Sequence, residues 1–302
     1  MAAISVQGLR KAYGDRVAVD GISFCVEPGE IFGILGPNGA GKTTTVECVV
    51  GLRAADAGTI DVLGLDPRRQ RAELTHTVGV QLQTALLQEK ITVGEAMTLY
   101  ASLYDDAADP AVLLDRLQLA DSRDVRFGRL SGGQQQRLAV ALALIGRPRV
   151  AVLDEVSTGL DPQARREVWS LIEETRAAGA TVVLVTHFME EAERLCDRLA
   201  LIDHGRIVAT GSPSEVVDQL AGGGQQLRFR VDGAFDASTL AAVPNVTGVT
   251  QSGDAVTVTG GGDVILAVTS ELARRGVVAH DLRVHSVDLD DAFVALTRGE
   301  AR

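Results

Sequence analysis

The chain has 302 residues, 46% of them apolar and 23% charged, which allows one large or two medium globular domains and excludes a disordered or fibrous class. Its net charge of −11 and pI near 5.0 argue against nucleic acid as a partner, because that role needs a basic face.

At the N-terminus, Met1-Ala-Ala-Ile-Ser5 lacks the basic then apolar pattern of a secretory signal. No apolar run approaches the roughly 18 residues that span a bilayer. The expectation is a chain soluble by itself that reaches a membrane only through a partner. Cys25, Cys48 and Cys196 are far apart and fit no metal spacing, so they read as reduced, buried thiols.

Ile31 to Leu35 reads as a short strand that runs into a glycine-rich turn and a helix through Val50. A helical stretch follows, roughly Thr92 to Ile145, in which Leu138, Leu142 and Ile145 share one face. Val150 to Leu153 is a second strand. Asp161 caps the next helix, Pro162 suits its first turn, Val168, Leu171 and Ile172 form its apolar stripe, and Gly179 fits its end. Thr181 to Val185 is a third strand, β-branched as buried parallel strands often are. This alternation predicts an α/β fold. Gly222 to Gly224 marks a boundary between residues 1–222 and a small α+β domain at 225–302. The latter is read from strands at Leu227–Val231, Val256–Val258 and Val277–Val284, and from helices at Val264–Arg275 and Leu289–Thr297.

Three motifs carry chemistry. Gly36-Pro-Asn-Gly-Ala-Gly-Lys-Thr43 matches the phosphate-loop pattern G-x-x-x-x-G-K-[ST]. Its glycines let backbone N–H groups turn toward phosphates, and the following helix points its positive end at them. Lys42 adds a point charge at the β- and γ-phosphates, and the Thr43 hydroxyl suits a Mg²⁺ ion. Val150 to Glu155 is an apolar strand ending in two carboxylates, which a buried position tolerates only for a reason. Asp154 suits the Mg²⁺ shell, and Glu155 suits a general base that polarises water. Leu130-Ser-Gly-Gly-Gln134 opens a helix with two glycines that again free backbone N–H groups for an anion.

In this order the motifs resemble the ATP-binding-cassette (ABC) nucleotide-binding domain over residues 3 to 220. The resemblance implies a phosphate-loop nucleotidase cassette: a RecA-like core, an antiparallel β subdomain and a helical subdomain. It makes Gly36, Pro37, Asn38, Gly39, Ala40, Gly41, Lys42, Thr43 and Thr44 the Walker A segment for ATP. It makes Ser131, Gly132, Gly133 and Gln134 the signature, Asp154 the Walker B acid and Glu155 the catalytic glutamate. Tyr13 matches the aromatic residue that stacks on adenine, Asp161 the D-loop, and His187 the switch histidine at the γ-phosphate. Gln83 matches the Q-loop glutamine that touches Mg²⁺ or water; Gln81 is its near neighbour, and the spacing from Gly79 favours Gln83. Val156 stands where the family usually has proline, a change in loop stiffness without chemical consequence.

The family pattern implies a head-to-tail pair of cassettes sandwiching two ATP molecules, with a homodimer as the expected pair. Force would reach a separate polytopic membrane subunit through the Gln83 loop and the Thr84 to Tyr104 segment, where Lys90, Thr92 and Glu95 lie. The tail His285 to Thr297 is similar to that of ABC-2-type exporters of the daunorubicin-resistance kind. The resemblance therefore implies a peripheral ATPase on the cytoplasmic face of a bacterial-type membrane, exporting a drug-like or other hydrophobic compound. The alternatives are the ATPase of another ABC transporter, whether an importer or a lipid or polysaccharide exporter, and a cassette ATPase without a transport role.

Overall fold

A computed structural model describes residues 2–82, 87–221, 225–231, 235–286, 289, 290 and 293. The chain divides into two compact units, residues 1–212 and 213–302. The boundary expected at Gly222–Gly224 lies outside the described residues and falls after a helix that belongs to the second unit.

In the first unit, β1 (Ile4–Tyr13), β2 (Arg16–Val26) and β4 (Ala57–Val62) form an antiparallel sheet in the order β2-β1-β4. A second, six-stranded sheet has the order β5-β6-β7-β3-β8-β9. Its members are β3 (Ile31–Leu35), β5 (Val78–Gln81), β6 (Val150–Asp154), β7 (Thr181–Thr186), β8 (Arg198–Asp203) and β9 (Arg206–Gly211). All neighbours are parallel except β8 and β9. The helices are α1 (Lys42–Val49), α2 (Arg71–Leu74), α3 (Val93–Ala101), α4 (Pro110–Arg116), α5 (Gly132–Leu144), α6 (Pro162–Ala177) and α7 (Met189–Leu195).

Strands β3, β6 and β7 are buried at every residue, as expected when both sheet faces are covered. One apolar cluster joins Ile4, Leu9 and Ile22 of the antiparallel sheet to Phe32, Ile34, Val152 and Val183 of the parallel one. Burying a side chain such as Phe32 contributes about 1.5–3 kcal/mol. The register sets Leu35 beside Thr186, Asp154 beside Val185 and Gln81 beside Leu153, so four strand ends open on one edge. Ligands of α/β sheets bind beyond that carboxyl edge.

The stretch read as helical from Thr92 to Ile145 is three α-helices rather than one run. Asp109 caps α4, its carboxylate accepting from Ala111 N at 2.8 Å, and Gln118 with φ 52° ends that helical path. Thr92 and Ser131 each begin a capping box, on α3 and α5.

The second unit contains α8 (Pro213–Ala221), β10 (Gln225–Val231), β11 (Val246–Ser252), β12 (Ala255–Gly260), α9 (Val264–Arg274) and β13 (Ala279–Ser286). Its sheet is antiparallel, in the order β11-β12-β10-β13. Along β10 the side chains alternate, with Leu227, Phe229 and Val231 buried against Val264, Val268 and Leu272 of α9, and Arg228 and Arg230 exposed. Most of the helix expected at Leu289–Thr297 lies outside the described residues; Leu289, Asp290 and Phe293 are helical.

Candidate active site

The turn after β3 has little freedom to carry side chains. Gly36 has φ 148° and a Cβ there would meet the Ile202 carbonyl at 2.0 Å; Gly41 has φ 104° and a Cβ would meet the Ala18 carbonyl at 2.3 Å. Only glycine fits either place. The loop is anchored by Gly205 N donating to the Ala40 carbonyl at 2.9 Å and by Ala40 N donating to Pro37 at 3.2 Å. Lys42 is buried, and its ammonium donates to the Gly36 carbonyl at 2.8 Å and to Pro37 at 3.1 Å. Burial lowers its pKa from the ordinary lysine value, opposed by the carboxylates of Glu155 and Asp154.

Asp154 ends β6 with no exposed surface. Its Oδ2 accepts from the Thr43 hydroxyl at 3.1 Å, while its Oδ1 is buried without a hydrogen-bond partner among the described residues. Burial pushes this carboxyl up to about 6; the Thr43 hydrogen bond opposes the shift and the charge of Glu155 adds to it. Asp154 N donates to Gln81 Oε1 at 3.0 Å, which ties the end of β5 to the acid.

Glu155 has φ 53°, a left-handed conformation that costs a non-glycine residue about 1–3 kcal/mol. Hydrogen bonds from several elements hold it there, including one from Thr158 N to its carbonyl at 3.2 Å. Its N–H donates to the Val185 carbonyl at 2.8 Å, its own carbonyl accepts from Gln136 Nε2 at 3.1 Å, and its Oε1 lies 3.2 Å from His187 Nδ1. A carboxylate fixed beside an imidazole, facing an anion-binding loop, can polarise a water molecule.

Lys42, Thr43 and Glu155 line a cleft of about 440 Å³ together with Tyr13, Arg16, Ala18, Asn38, Gly39, Gly41 and Thr44, whereas Asp154, Gln81 and His187 are not part of its lining. Gly36, Pro37 and Ala40 form the loop behind it. Tyr13 is 43% exposed at the cleft, with the Arg53 guanidinium 5.1 Å and the Lys11 ammonium 5.8 Å from its ring centre. Ser131, Gly132, Gly133, Gln134 and Asp161 do not line this cleft. The Ser131 hydroxyl accepts from Gln134 N at 3.2 Å, and Asp161 Oδ1 accepts from Gln163 N and Ala164 N at 2.9 and 3.0 Å. The two turns are neighbours, since a Cβ on Gly133 would lie 3.4 Å from Leu160 and 3.6 Å from the Gly159 carbonyl. Gln83 lies outside the described residues.

Sequence reasoning missed Arg16, Gln136 and the grip of Gln81 on Asp154. Arg16 Nη2 donates to the Gly39 carbonyl at 3.4 Å, and it pairs with Tyr13 across the β1–β2 turn. Its only signal was a basic residue just past the aromatic one. Gln136 stands in a run of three glutamines, Gln134 to Gln136, of which the signature accounts for the first.

A glycine loop at the end of parallel strand β3, a buried lysine and paired acids at the end of β6, one strand beyond its neighbour β7, define a phosphate-loop nucleotide hydrolase. Residues 19–158 match the family described as ABC transporter. The Nod factor export ATP-binding protein I of Paraburkholderia xenovorans (strain LB400) is 45% identical over 222 residues, covering 72% of this chain and 73% of that protein. The protein of the same name from Sinorhizobium fredii (strain NBRC 101917 / NGR234) is 45% identical over 226 residues, 73% of this chain and 66% of its own length. Among solved structures, an ATP-binding subunit of an ABC transporter superposes with TM-score 0.67 at 26% identity, over 73% of this chain and 93% of that one. The ADP conformation of MJ1267, an ATP-binding cassette of an ABC transporter, gives TM-score 0.63 at 26% identity, over 74% and 95%. The chain therefore belongs to the ABC transporter family, as an ATP-binding and ATP-hydrolysing cassette. Among the described residues no helix is long and apolar enough to cross a membrane.

Proposed function

We propose that this chain is the ATPase motor of an ABC-2-type exporter, working from the cytoplasmic face of a bacterial-type membrane through a separate polytopic subunit. The observation that carries export is the 45% identity to proteins named for Nod factor export. The cargo proposed is a hydrophobic, drug-like compound, by kinship of the tail with drug exporters.

In this reading ATP lies in the cleft with its adenine on Tyr13 and its phosphates in the loop Gly36 to Thr44. Lys42 offers its remaining N–H to the β- and γ-phosphates. The orphaned Oδ1 of Asp154, beside the Thr43 hydroxyl, fits a divalent cation, which supports Mg²⁺ held by Thr43, Asp154 and Gln83. When bound, that ion neutralises charge developing on the phosphate oxygens. Glu155 Oε1 accepts the proton of the attacking water. His187, 3.2 Å from that carboxylate, keeps it aimed and reaches the γ-phosphate. Ser131 to Gln134 and Asp161 lie outside the cleft, which supports a second role: they complete the site of another copy, in a homodimer sandwiching two ATP molecules.

The test is purification of the full chain with its neighbouring polytopic membrane protein, followed by reconstitution into liposomes. ATP added on the cassette side should drive a fluorescent hydrophobic compound away from that side. Movement toward the cassette side would favour an importer, and recovery with ribosomes or DNA instead of a membrane protein would overturn the transport reading.

A further inference from the structure

One fully buried carboxylate near the hydrolytic residues has no part in the chemistry above. Glu191 has no exposed surface and lies on α7, just past His187. Its Oε1 accepts from Trp169 Nε1 at 2.7 Å and from the Ser157 hydroxyl, and Trp169 Nε1 also reaches Ser157 Oγ at 3.2 Å. Ser157 is 1% exposed and lies two residues after Glu155 in the same loop; Trp169 is on α6, whose cap is Asp161. One carboxylate oxygen thus joins the loop that carries Glu155, the helix behind it, and the helix that begins after His187. The second oxygen, Oε2, is buried without a hydrogen-bond partner among the described residues.

An apolar side chain of similar volume would fill this place without the cost of burying a charge. The ion pairs between α6 and α7 among the described residues are loose: Arg165–Glu190 at 3.7 Å and Arg194–Glu173 at 3.6 Å, each with a well-exposed carboxylate, while the Arg194 guanidinium also lies 5.1 Å from the Trp169 ring centre. Such surface pairs hold geometry weakly. The buried triad is a directional link that reaches from α7 to the Glu155 loop through side chains other than His187 itself.

We propose that Glu191 is a positioning residue: through Ser157 and Trp169 it fixes α7, and with it His187, against the loop that bears Glu155. This rests on reading Glu155 and His187 as the hydrolytic pair. The link keeps carboxylate and imidazole in register while the cassette cycles, and it acts on turnover rather than on nucleotide binding.

The test is steady-state hydrolysis by the full chain. Ser157→Ala cuts the arm to the loop and leaves Glu191–Trp169 in place. It should lower kcat by about tenfold, with KM for ATP unchanged, because small misplacements of reacting groups are costly. Ser157→Thr keeps the hydroxyl and should restore kcat. Glu191→Leu, of similar size, should lower kcat at least as far, and the double variant no further than Glu191→Leu alone. Wild-type kcat in Ser157→Ala, or equal losses in Ser157→Ala and Ser157→Thr, would overturn the proposal, and neither result depends on Glu191→Leu folding. Glu155→Gln separates the two levels: if it still turns over, the hydrolytic reading fails. If it is inactive while Ser157→Ala is normal, only the positioning role fails.

Discussion

The two units treat polar groups in opposite ways. Among the described residues, the buried polar and charged residues lie in residues 1–212, including Lys42, Gln81, Asp154, Glu155, Ser157 and Glu191, and in the second unit the half-buried Gln225 has its Oε1 buried. The second unit buries an apolar core, Leu227, Phe229, Val256, Val258, Val268 and Leu272, and keeps its charges outside. Burying polar groups costs free energy unless each is partnered. A unit that does so repeatedly at one sheet edge is shaped for chemistry, whereas the other is shaped for stability.

Four substitutions test that contrast. Glu155→Gln should lower ATP turnover by about 10³-fold, within the range for losing a general base. With ATP and Mg²⁺ it should also hold a dimer visible by light scattering; a monomer under those conditions would break the head-to-tail reading. Phe229→Ala should do the reverse. It removes a core aromatic of the second unit, costs about 3–5 kcal/mol of that unit's stability in calorimetry, and leaves turnover within about twofold. A matching loss of turnover would show that the contrast between the units is false.

Asp154→Asn is the sharper case, because it should stop hydrolysis and stabilise the nucleotide-free fold. The carboxyl is pushed by burial up to about 6, from an ordinary 3.8. The folded state therefore holds that proton more tightly than the unfolded chain does. Its contribution is fully present below about pH 4 and is lost as pH rises through 6. The variant should melt about 5 °C above wild type at pH 8, and the gap should close below pH 4. A lower melting point at pH 8 would contradict the cost assigned to this buried acid. The smallest effect is expected at Glu271, where hydrogen bonds from Arg274 and Arg275 hold the carboxyl down to about 2. That contribution is present above about pH 4.5 and lost as pH falls toward 2. Glu271→Gln should move the melting point by no more than about 1 °C at pH 7, since water screens such pairs.

The edge of the candidate site was legible because its residues are adjacent in sequence to the strands that place them. Gly36 to Thr43 follows Leu35, Asp154 ends β6 with Glu155 directly after it, and His187 follows β7. The caps at Ser131 and Asp161 were readable for the same local reason. What stayed hidden depends on distant segments meeting. Gln136 reaches the Glu155 carbonyl, and Glu191 reaches Ser157 and Trp169, only once α5, α6 and α7 are packed. Strand β1 was invisible for another reason. Register shifts between Val6 and Leu9 and again toward Ala12 break its alternation, so its apolar residues do not recur at period two.

The strand order also sets a timetable for synthesis. Strand β3, which carries the phosphate loop, lies between β7 and β8, and Gly36 packs under the carbonyl of Ile202. A growing chain therefore makes its nucleotide loop early but cannot seat it until Asp203 and Gly205 have left the ribosome. At ordinary rates of translation that is an interval of roughly ten to thirty seconds. Until β7 follows, the apolar strand Ile31 to Leu35 has no partner on either side, so the strand that leads into the phosphate loop is also one a nascent-chain chaperone would have reason to cover.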